Sequence, residues 1–128
     1  MRRSKLSDLE WEVLKHIWQI NDFPVTVRQV VNSAYPEGQK AYTTIQTVMN
    51  NLTKKGFLKI KKLGNVNVYS PREELKVLQQ NEMVNFVKKV FNGSFFNLAN
   101  FLISSDQLSQ EEIKTLKKIL ERKSKDKS

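Results

Sequence analysis

The sequence contains no cysteine, one histidine, four glycines and three prolines in 128 residues. Without cysteine there is no disulfide framework, no thiolate metal site and no cysteine nucleophile. Four glycines do not make a glycine-rich phosphate loop, and no serine lies in a nucleophile-elbow context. No apolar run approaches the roughly 20 residues that span a membrane, and none follows the basic start Met1-Arg2-Arg3 as in a signal peptide. We expect a cytoplasmic protein with no membrane insertion.

Residues that carry acid–base or metal chemistry are also scarce. His16 lies one turn beyond Glu12, beside the apolar stripe of a predicted helix. A boundary position on that helix is the favoured interpretation, because metal sites and acid–base pairs need converging partners. Two pairs of adjacent glutamates fall in the first turns of predicted helices, where the helix dipole favours them. The sequence therefore predicts no metal, no cofactor and no catalytic residue, and hence no enzyme.

Positive charge is abundant and unevenly distributed. The 22 Lys and Arg residues against 13 Asp and Glu give a net charge of +9. Residues 1–72 carry +7 of it and residues 73–128 carry +2. No acidic residue occurs from Gln39 to Lys62, a stretch that holds six lysines. Because acidic side chains repel phosphates, this pattern favours a polyanion as the partner of the N-terminal part.

Apolar periodicity predicts three helices before any strand. Ser7 with Glu10, and Thr26 with Gln29, have capping-box spacing before the first two helices, and Gly56 is placed to end a third over residues 42–55. After Gly56 the period changes to two. Leu58, Ile60, Val66 and Val68 alternate with Lys59, Lys61, Asn65 and Asn67 around a Leu63-Gly64-Asn65 turn. That alternation predicts a β-hairpin with a basic face.

The third helix has a polar outer side. With Ile45, Val48, Met49 and Leu52 in the core, short hydroxyl and amide side chains cluster on the opposite face, where they can reach base edges in a major groove. The alternatives are an ordinary solvated face, and a Thr43 N-cap that folds Gln46 back on the helix start. We expect base contacts from Thr43, Thr44, Gln46, Thr47 and Asn50. We expect phosphate contacts from Lys40, Tyr42, Lys54, Lys59, Lys61 and Lys62.

The C-terminal part is nearly neutral and rich in apolar residues. A long helix is predicted over residues 73–91, and a short apolar stretch follows. Ser109 with Glu112 begins a further helix, whose end we expect to fray over residues 122–128. A second copy of the chain would cover the apolar excess, and packing back on the N-terminal part is the alternative. The expected dimer contacts are Met83, Phe86, Val87, Val90, Phe91, Phe95, Leu98, Phe101, Leu102 and Leu116.

Several stretches resemble the penicillinase-repressor family of winged-helix regulators. They are Leu6-Ser7-Asp8-Leu9-Glu10-Trp11-Glu12-Val13-Leu14 with Ile17-Trp18, Ala41-Tyr42-Thr43-Thr44-Ile45-Gln46-Thr47-Val48, Leu52-Thr53-Lys54-Lys55-Gly56, and Tyr69-Ser70-Pro71. Phe91-Asn92-Gly93 and the spaced pattern Leu108-Ser109, Glu111-Glu112-Ile113 and Leu116 are similar to the family's C-terminal half. The resemblance thus covers nearly the whole chain.

The resemblance implies a homodimer that binds a double-stranded DNA operator of dyad symmetry and represses transcription. It also implies a membrane sensor protease system that inactivates the repressor by cleavage, at a bond corresponding to Asn100-Phe101. The alternative interpretation of Phe101 is an aromatic of the dimer core. Relatives that respond to copper use a C-terminal cysteine cluster, and the lack of cysteine excludes that mode here.

Together these observations predict a mainly α fold with a small hairpin. We expect a winged helix-turn-helix domain over residues 1–70 and an α-helical dimerisation domain over residues 71–128. The predicted function is a dimeric, sequence-specific DNA-binding repressor. One rival is a winged-helix protein-interaction module that does not bind DNA and docks its lysines on an acidic protein. A second rival is a helical enzyme subunit whose site a partner completes.

Overall fold

The computed structural model describes residues 5–127. Along the chain the elements are α1 (Asp8–Ile20), α2 (Val27–Ala34), α3 (Tyr42–Lys54), β1 (Leu58–Leu63), β2 (Val66–Pro71), α4 (Leu75–Val90), α5 (Phe95–Ser104) and α6 (Gln110–Lys127). The predicted mainly α fold with one β-hairpin is confirmed. No helix in the described part of the chain is long and apolar enough to cross a membrane.

The first two helices begin where the capping boxes predicted. The Ser7 hydroxyl accepts the Glu10 N–H at 3.2 Å, and the Ser7 N–H donates to the Glu10 carboxylate at 2.8 Å. Thr26 and Gln29 form the same reciprocal pair before α2. Helix α3 differs, since its N-cap is Ala41, which has no side chain to accept a bond. Thr43 is therefore not the cap, and Gln46 is not drawn back to the helix start.

The register of the hairpin overturns one prediction. Gly64 has a φ of +61° and starts a two-residue turn, with Leu63 paired to Val66. A three-residue turn over Leu63-Gly64-Asn65 would have placed Val66 and Val68 on the other face of the hairpin from Lys59 and Lys61. A turn that is one residue shorter reverses the faces of β2, because side chains alternate along a strand. Lys61 pairs with Val68, while Lys62 pairs with Asn67.

The core of the N-terminal part lies between α1, α2, α3 and the base of the hairpin. Val13, Ile17, Ile45 and Met49 are fully buried there, as the helical spacing predicted. Before α2, Val25 forms an isolated β-bridge with Tyr69, because its N–H and C=O both bond to the Tyr69 backbone. This bridge joins β2 to the start of α2.

The chain divides into two compact units, and the boundary lies inside α4, between Leu78 and Gln79. In the second unit Val87 is fully buried. The ring of Phe91 lies 6.1 Å from that of Phe86 and 5.9 Å from that of Phe101, centroid to centroid. Helix α6 continues to Lys127, so residues 122–127 of the segment expected to fray are helical, and Ser128 lies outside the described residues. Its last residues include glutamate, arginine and lysines, which have high helix propensity.

Candidate nucleic-acid interface

The outward side of α3 carries two rows of polar side chains. Thr43 and Thr47, four residues apart, are exposed, and Thr44 is exposed beside them. Gln46 and Asn50 form a second row together with Tyr42, and all three are partly buried. Residues four apart lie one above the other on a helix, so the rows run parallel along it. The structure thus brings the five predicted base-reading residues onto one side of α3, at two depths.

One hydroxyl of the exposed row, that of Thr47, is hydrogen-bonded within the helix. The Thr47 hydroxyl donates to the carbonyl oxygen of Thr43 at 3.0 Å, the back-bonding geometry common for threonine inside helices. Its oxygen can still accept a hydrogen bond, and its methyl group can contact the methyl of a thymine. Thr47 is therefore suited to apolar or acceptor contacts with a base edge.

A groove of about 380 Å³ separates the partly buried row from the hairpin. Its lining includes Gln46 and Tyr42 of α3, Asn67 of β2, and Arg28 of α2. The Arg28 guanidinium lies 4.6 Å from the centroid of the Tyr42 ring, a cation–π contact. Arg28 was not among the residues predicted from the sequence. The available signal was an arginine in the first turn of the predicted second helix.

Tyr69 connects the hairpin to α3 beneath this groove. Its side chain is 1% exposed, and its hydroxyl donates to Oδ1 of Asn50 at 2.8 Å. Burial raises the pKa of the Tyr69 hydroxyl, and the nearby Tyr42 raises it further. Sequence analysis placed Tyr69 in a strand and assigned it no role. Asn50 is therefore bound to β2 as well as being part of the polar face of α3.

The predicted phosphate-contacting residues do not form a single face. Lys54 is exposed at the end of α3, and Lys40 is partly exposed in the loop before it. Lys59 and Lys61 are exposed on one face of the hairpin. The register places Lys62 on the other face, with Asn67 and Tyr69.

Lys55 has a structural role that separates it from the other lysines. Its Nζ lies 2.6 Å from Oε1 of Glu10 and donates to the Lys5 carbonyl oxygen at 3.0 Å. Burial raises the pKa of Glu10, but hydrogen bonds from Lys55 and Ser7 outweigh it and leave the pKa below its ordinary value. This ion pair holds the end of α3 against the start of α1.

His16 lies in a packed cluster of α1 and the end of α2. Its ring meets that of Tyr35 edge-on at 5.5 Å, and the Tyr35 hydroxyl donates to Glu12 at 2.5 Å. Burial raises the pKa of Tyr35, and the Glu12 carboxylate adds to the shift. Among residues 5–127, no group of three or more His, Asp or Glu side chains could hold a metal ion.

The predicted dimer contacts differ in exposure. Exposed residues are Met83, Phe86, Val90, Phe95, Phe101 and Leu116. Phe91, Leu98 and Leu102 are partly buried, and Val87 is fully buried in its own chain. Two more exposed apolar residues are outside the predicted set of dimer contacts: Phe96 of α5, which is 77% exposed, and Leu120 of α6, which is 63% exposed. Both were visible as large apolar residues beside the predicted ones.

The Asn100-Phe101 bond lies inside α5. The carbonyl oxygen of Asn100 accepts the Ser104 hydroxyl at 2.7 Å, and that of Phe101 accepts the Ser105 N–H at 3.0 Å. Both side chains are exposed. The bond is near the surface but in helical conformation.

Comparisons with known proteins give consistent matches. The family described as penicillinase repressor matches residues 6–122. The penicillinase repressor of Bacillus licheniformis is 32% identical over 117 residues, which are 91% of this chain and 90% of that protein. The methicillin resistance regulatory protein MecI of Staphylococcus aureus strain N315 is 29% identical over 119 residues, or 93% of this chain and 95% of that protein.

One solved structure is also similar in part. The solution structure of the DNA-binding domain of the repressor BlaI is 32% identical, with a TM-score of 0.49. The match covers 58% of this chain and 88% of that chain.

Proposed function

The chain belongs to the penicillinase repressor family, and we propose that it is a dimeric, sequence-specific repressor that binds operator DNA of dyad symmetry. The family consists of transcriptional repressors and not of enzymes. The proposal assigns DNA binding to residues 1–70 and dimerisation to residues 71–128. It places the protein in the cytoplasm, because a repressor must reach its operator.

The single observation that carries the DNA-binding proposal is the polar, acid-free outer side of α3. An α-helix fits the major groove of DNA, and short hydroxyl and amide side chains can bond to base edges there. Thr43, Thr44 and Thr47 are exposed and can make such contacts, and the partly buried Gln46 and Asn50 lie beside them. Lys54 is exposed at the end of α3, and Lys59 and Lys61 are exposed on the hairpin, where they can neutralise phosphates.

The test compares two substitutions on duplex DNA of many sequences. Lys61→Ala should weaken binding to all sequences alike and reduce the salt dependence by about one counterion, since a phosphate contact carries no sequence information. Thr47→Ala should change the preference among sequences. Lys76→Ala, an exposed lysine of α4, serves as the control and should change neither property.

The outcomes separate the candidate functions. An equal loss for every sequence from Lys61→Ala and Thr47→Ala would refute the base-reading role. No binding of the unaltered chain to duplex DNA at low salt would favour the protein-interaction module instead.

Dimerisation of the second unit is supported by its exposed apolar surface. Phe86, Phe95, Phe101 and Val90 are each about half exposed, and a surface of that kind marks an interaction site. A second copy would cover it and would match a two-fold operator. Light scattering should give twice the mass of the chain at micromolar concentration, and Phe86→Asp should give a monomer. A monomeric mass for the unaltered chain would contradict this assignment.

Release by proteolysis at Asn100-Phe101, triggered by a membrane sensor, completes the proposal. A helical bond must open locally before a protease can bind it in extended form. Helix α5 must therefore unfold around residues 100–101. Co-expression with a sensor protease of the family should yield a fragment ending at Asn100, detectable by mass spectrometry. An intact chain, or cleavage at a different bond, would refute this part.

A further inference from the structure

We propose that Tyr69 is a positioning residue for sequence recognition, which fixes the side-chain amide of Asn50 with its oxygen toward the hairpin and its N–H donors toward a base. The inference rests on the proposed function, because it requires α3 to face DNA bases. It adds a residue of the hairpin, outside α3, to the determinants of operator sequence.

The position of the Tyr69 hydroxyl is fixed from several sides. Its backbone N–H and C=O bond to Val25 at 2.7 and 2.8 Å, and Ile60 is its partner in the hairpin register. Its side chain is buried in the core beneath α3. Because its backbone is hydrogen-bonded and its ring is buried, the Tyr69 hydroxyl has little freedom to move. The 2.8 Å bond to Asn50 therefore acts as a fixed point for the amide.

The direction of this hydrogen bond is as important as its position. Burial and the nearby Tyr42 raise the pKa of Tyr69 above its ordinary value of 10.0. The hydroxyl keeps its proton at physiological pH and donates it to Oδ1. In the described part of the chain, the structure gives the Asn50 amide nitrogen no hydrogen-bond acceptor. The nitrogen is the end of the amide left to contact a ligand.

The chemical consequence is a restricted reading of bases. A free asparagine recognises adenine by donating to N7 and accepting from N6 at the same time. Oδ1 keeps a second lone pair, but it is directed at the buried Tyr69 hydroxyl. A base that approaches from solvent therefore meets the N–H end of the amide, which suits the acceptors of guanine, thymine or adenine. Cytosine presents a donor in the major groove and no acceptor. The base that contacts Asn50 should therefore be any base except cytosine, with no special preference for adenine.

The experiment selects bound sites from a duplex DNA library that is randomised over about two helical turns, with the full chain. At one position of each half-site, cytosine should be depleted about tenfold, the size of one good base contact. Asn50→Ala should abolish the discrimination at that position. Tyr69→Phe releases Oδ1 and should raise the enrichment of adenine there about tenfold over the unaltered chain.

A second substitution keeps Tyr69 and inverts the chemistry. Asn50→Asp retains an oxygen for the Tyr69 hydroxyl and presents a second oxygen in place of the donor. Since a carboxylate accepts from N4 of cytosine, this variant should select cytosine at the same position. It tests the inference even if Tyr69→Phe does not fold. The matched control is Tyr35→Phe, which removes a buried hydroxyl bonded to Glu12, away from α3, and should leave the selected sites unchanged.

The results distinguish a failure of this inference from a failure of the proposed function. If the unaltered chain enriches no sequence, the proposed function fails. If it enriches a site but Asn50→Ala leaves every position unchanged, or folded Tyr69→Phe weakens all sites equally, the inference fails while the function stands. If Asn50→Asp does not move the preference to cytosine, the fixed amide is refuted as well.

Discussion

Replacing Lys55 with methionine should destabilise the first unit by about 2 kcal/mol at neutral pH. The substitution keeps the length and apolar stem of the side chain but removes its charge. Oε1 of Glu10 then loses the donor at 2.6 Å and keeps the Ser7 N–H at 2.8 Å. Helix α3 would lose its ion-pair connection to α1 and should be the element most affected.

The magnitude follows from the burial of the two partners. The Glu10 side chain is 6% exposed and that of Lys55 is 27% exposed, so solvent screens the pair less than a surface ion pair. Breaking a fully buried pair costs roughly 3–5 kcal/mol, and a hydrogen bond to a charged group contributes about 1.5–3 kcal/mol. Glu10 retains the Ser7 donor and the positive end of α1. Because these two interactions remain, we expect the cost to fall in the range for a hydrogen bond to a charged group, at about 2 kcal/mol.

The pH dependence provides a sharper test. The pKa of Glu10 in the folded protein is below the ordinary value of 4.5. A depressed carboxyl pKa contributes stability that is complete above the unfolded value and is lost as pH falls through the folded one. The difference in free energy of unfolding between the unaltered chain and Lys55→Met should therefore be constant above about pH 5. It should decrease below about pH 4.5, because protonated Glu10 has no charge for Lys55 to pair with.

Urea titration followed by tryptophan fluorescence is the assay, because both tryptophans, Trp11 and Trp18, lie in α1. The control is Lys54→Met, at the exposed neighbouring lysine, which should change stability by less than about 0.5 kcal/mol. Equal destabilisation by the two substitutions would refute the reasoning. A difference that persists undiminished at pH 3 would refute it too.

Three further substitutions test the fold by its unfolding midpoint in urea. Gly64→Ala should cost about 1 kcal/mol, because an added Cβ meets no atom within 4 Å and the penalty is that of a φ of +61°; an unchanged midpoint would show that the turn relaxes. Thr26→Ala should cost about 1 kcal/mol through loss of the N-cap bond, and Thr26→Ser should restore most of it. Met49→Ala should cost about 2–5 kcal/mol, since Met49 is fully buried; a loss no larger than that of Thr47→Ala would contradict the core assignment.

Much of the secondary structure could be predicted from local patterns. The capping boxes at Ser7 and Thr26 were read from spacing and are present in the structure, because a cap needs only the residues of its own turn. Gly56, with a φ of +87°, ends α3 for the same local reason. The core stripe of α3 followed from helical periodicity. Each of these features depends on contacts within a few residues.

The hairpin shows where local patterns are insufficient. Leu63-Gly64-Asn65 predicts a turn of three residues, but in the structure Leu63 pairs with Val66 and only two residues form the turn. Local turn propensity does not decide between these two lengths. That choice exchanges the two faces of β2 and moves Val68 to the face of Lys61. Strand register depends on which pairing buries the better face against the helices, and that is a tertiary property.

By itself, the sequence determined the order of the elements, the absence of cysteine chemistry and the concentration of positive charge in residues 1–72, since these depend on composition and local spacing. Only the tertiary structure decided that Lys55 pairs with Glu10, 45 positions away, and that Asn50 accepts a hydrogen bond from Tyr69 on the hairpin. Partners that distant in sequence meet because the core brings three helices and a hairpin together. The polar face of α3 was thus predictable, while the assignment of its residues to bases or to the hairpin was not.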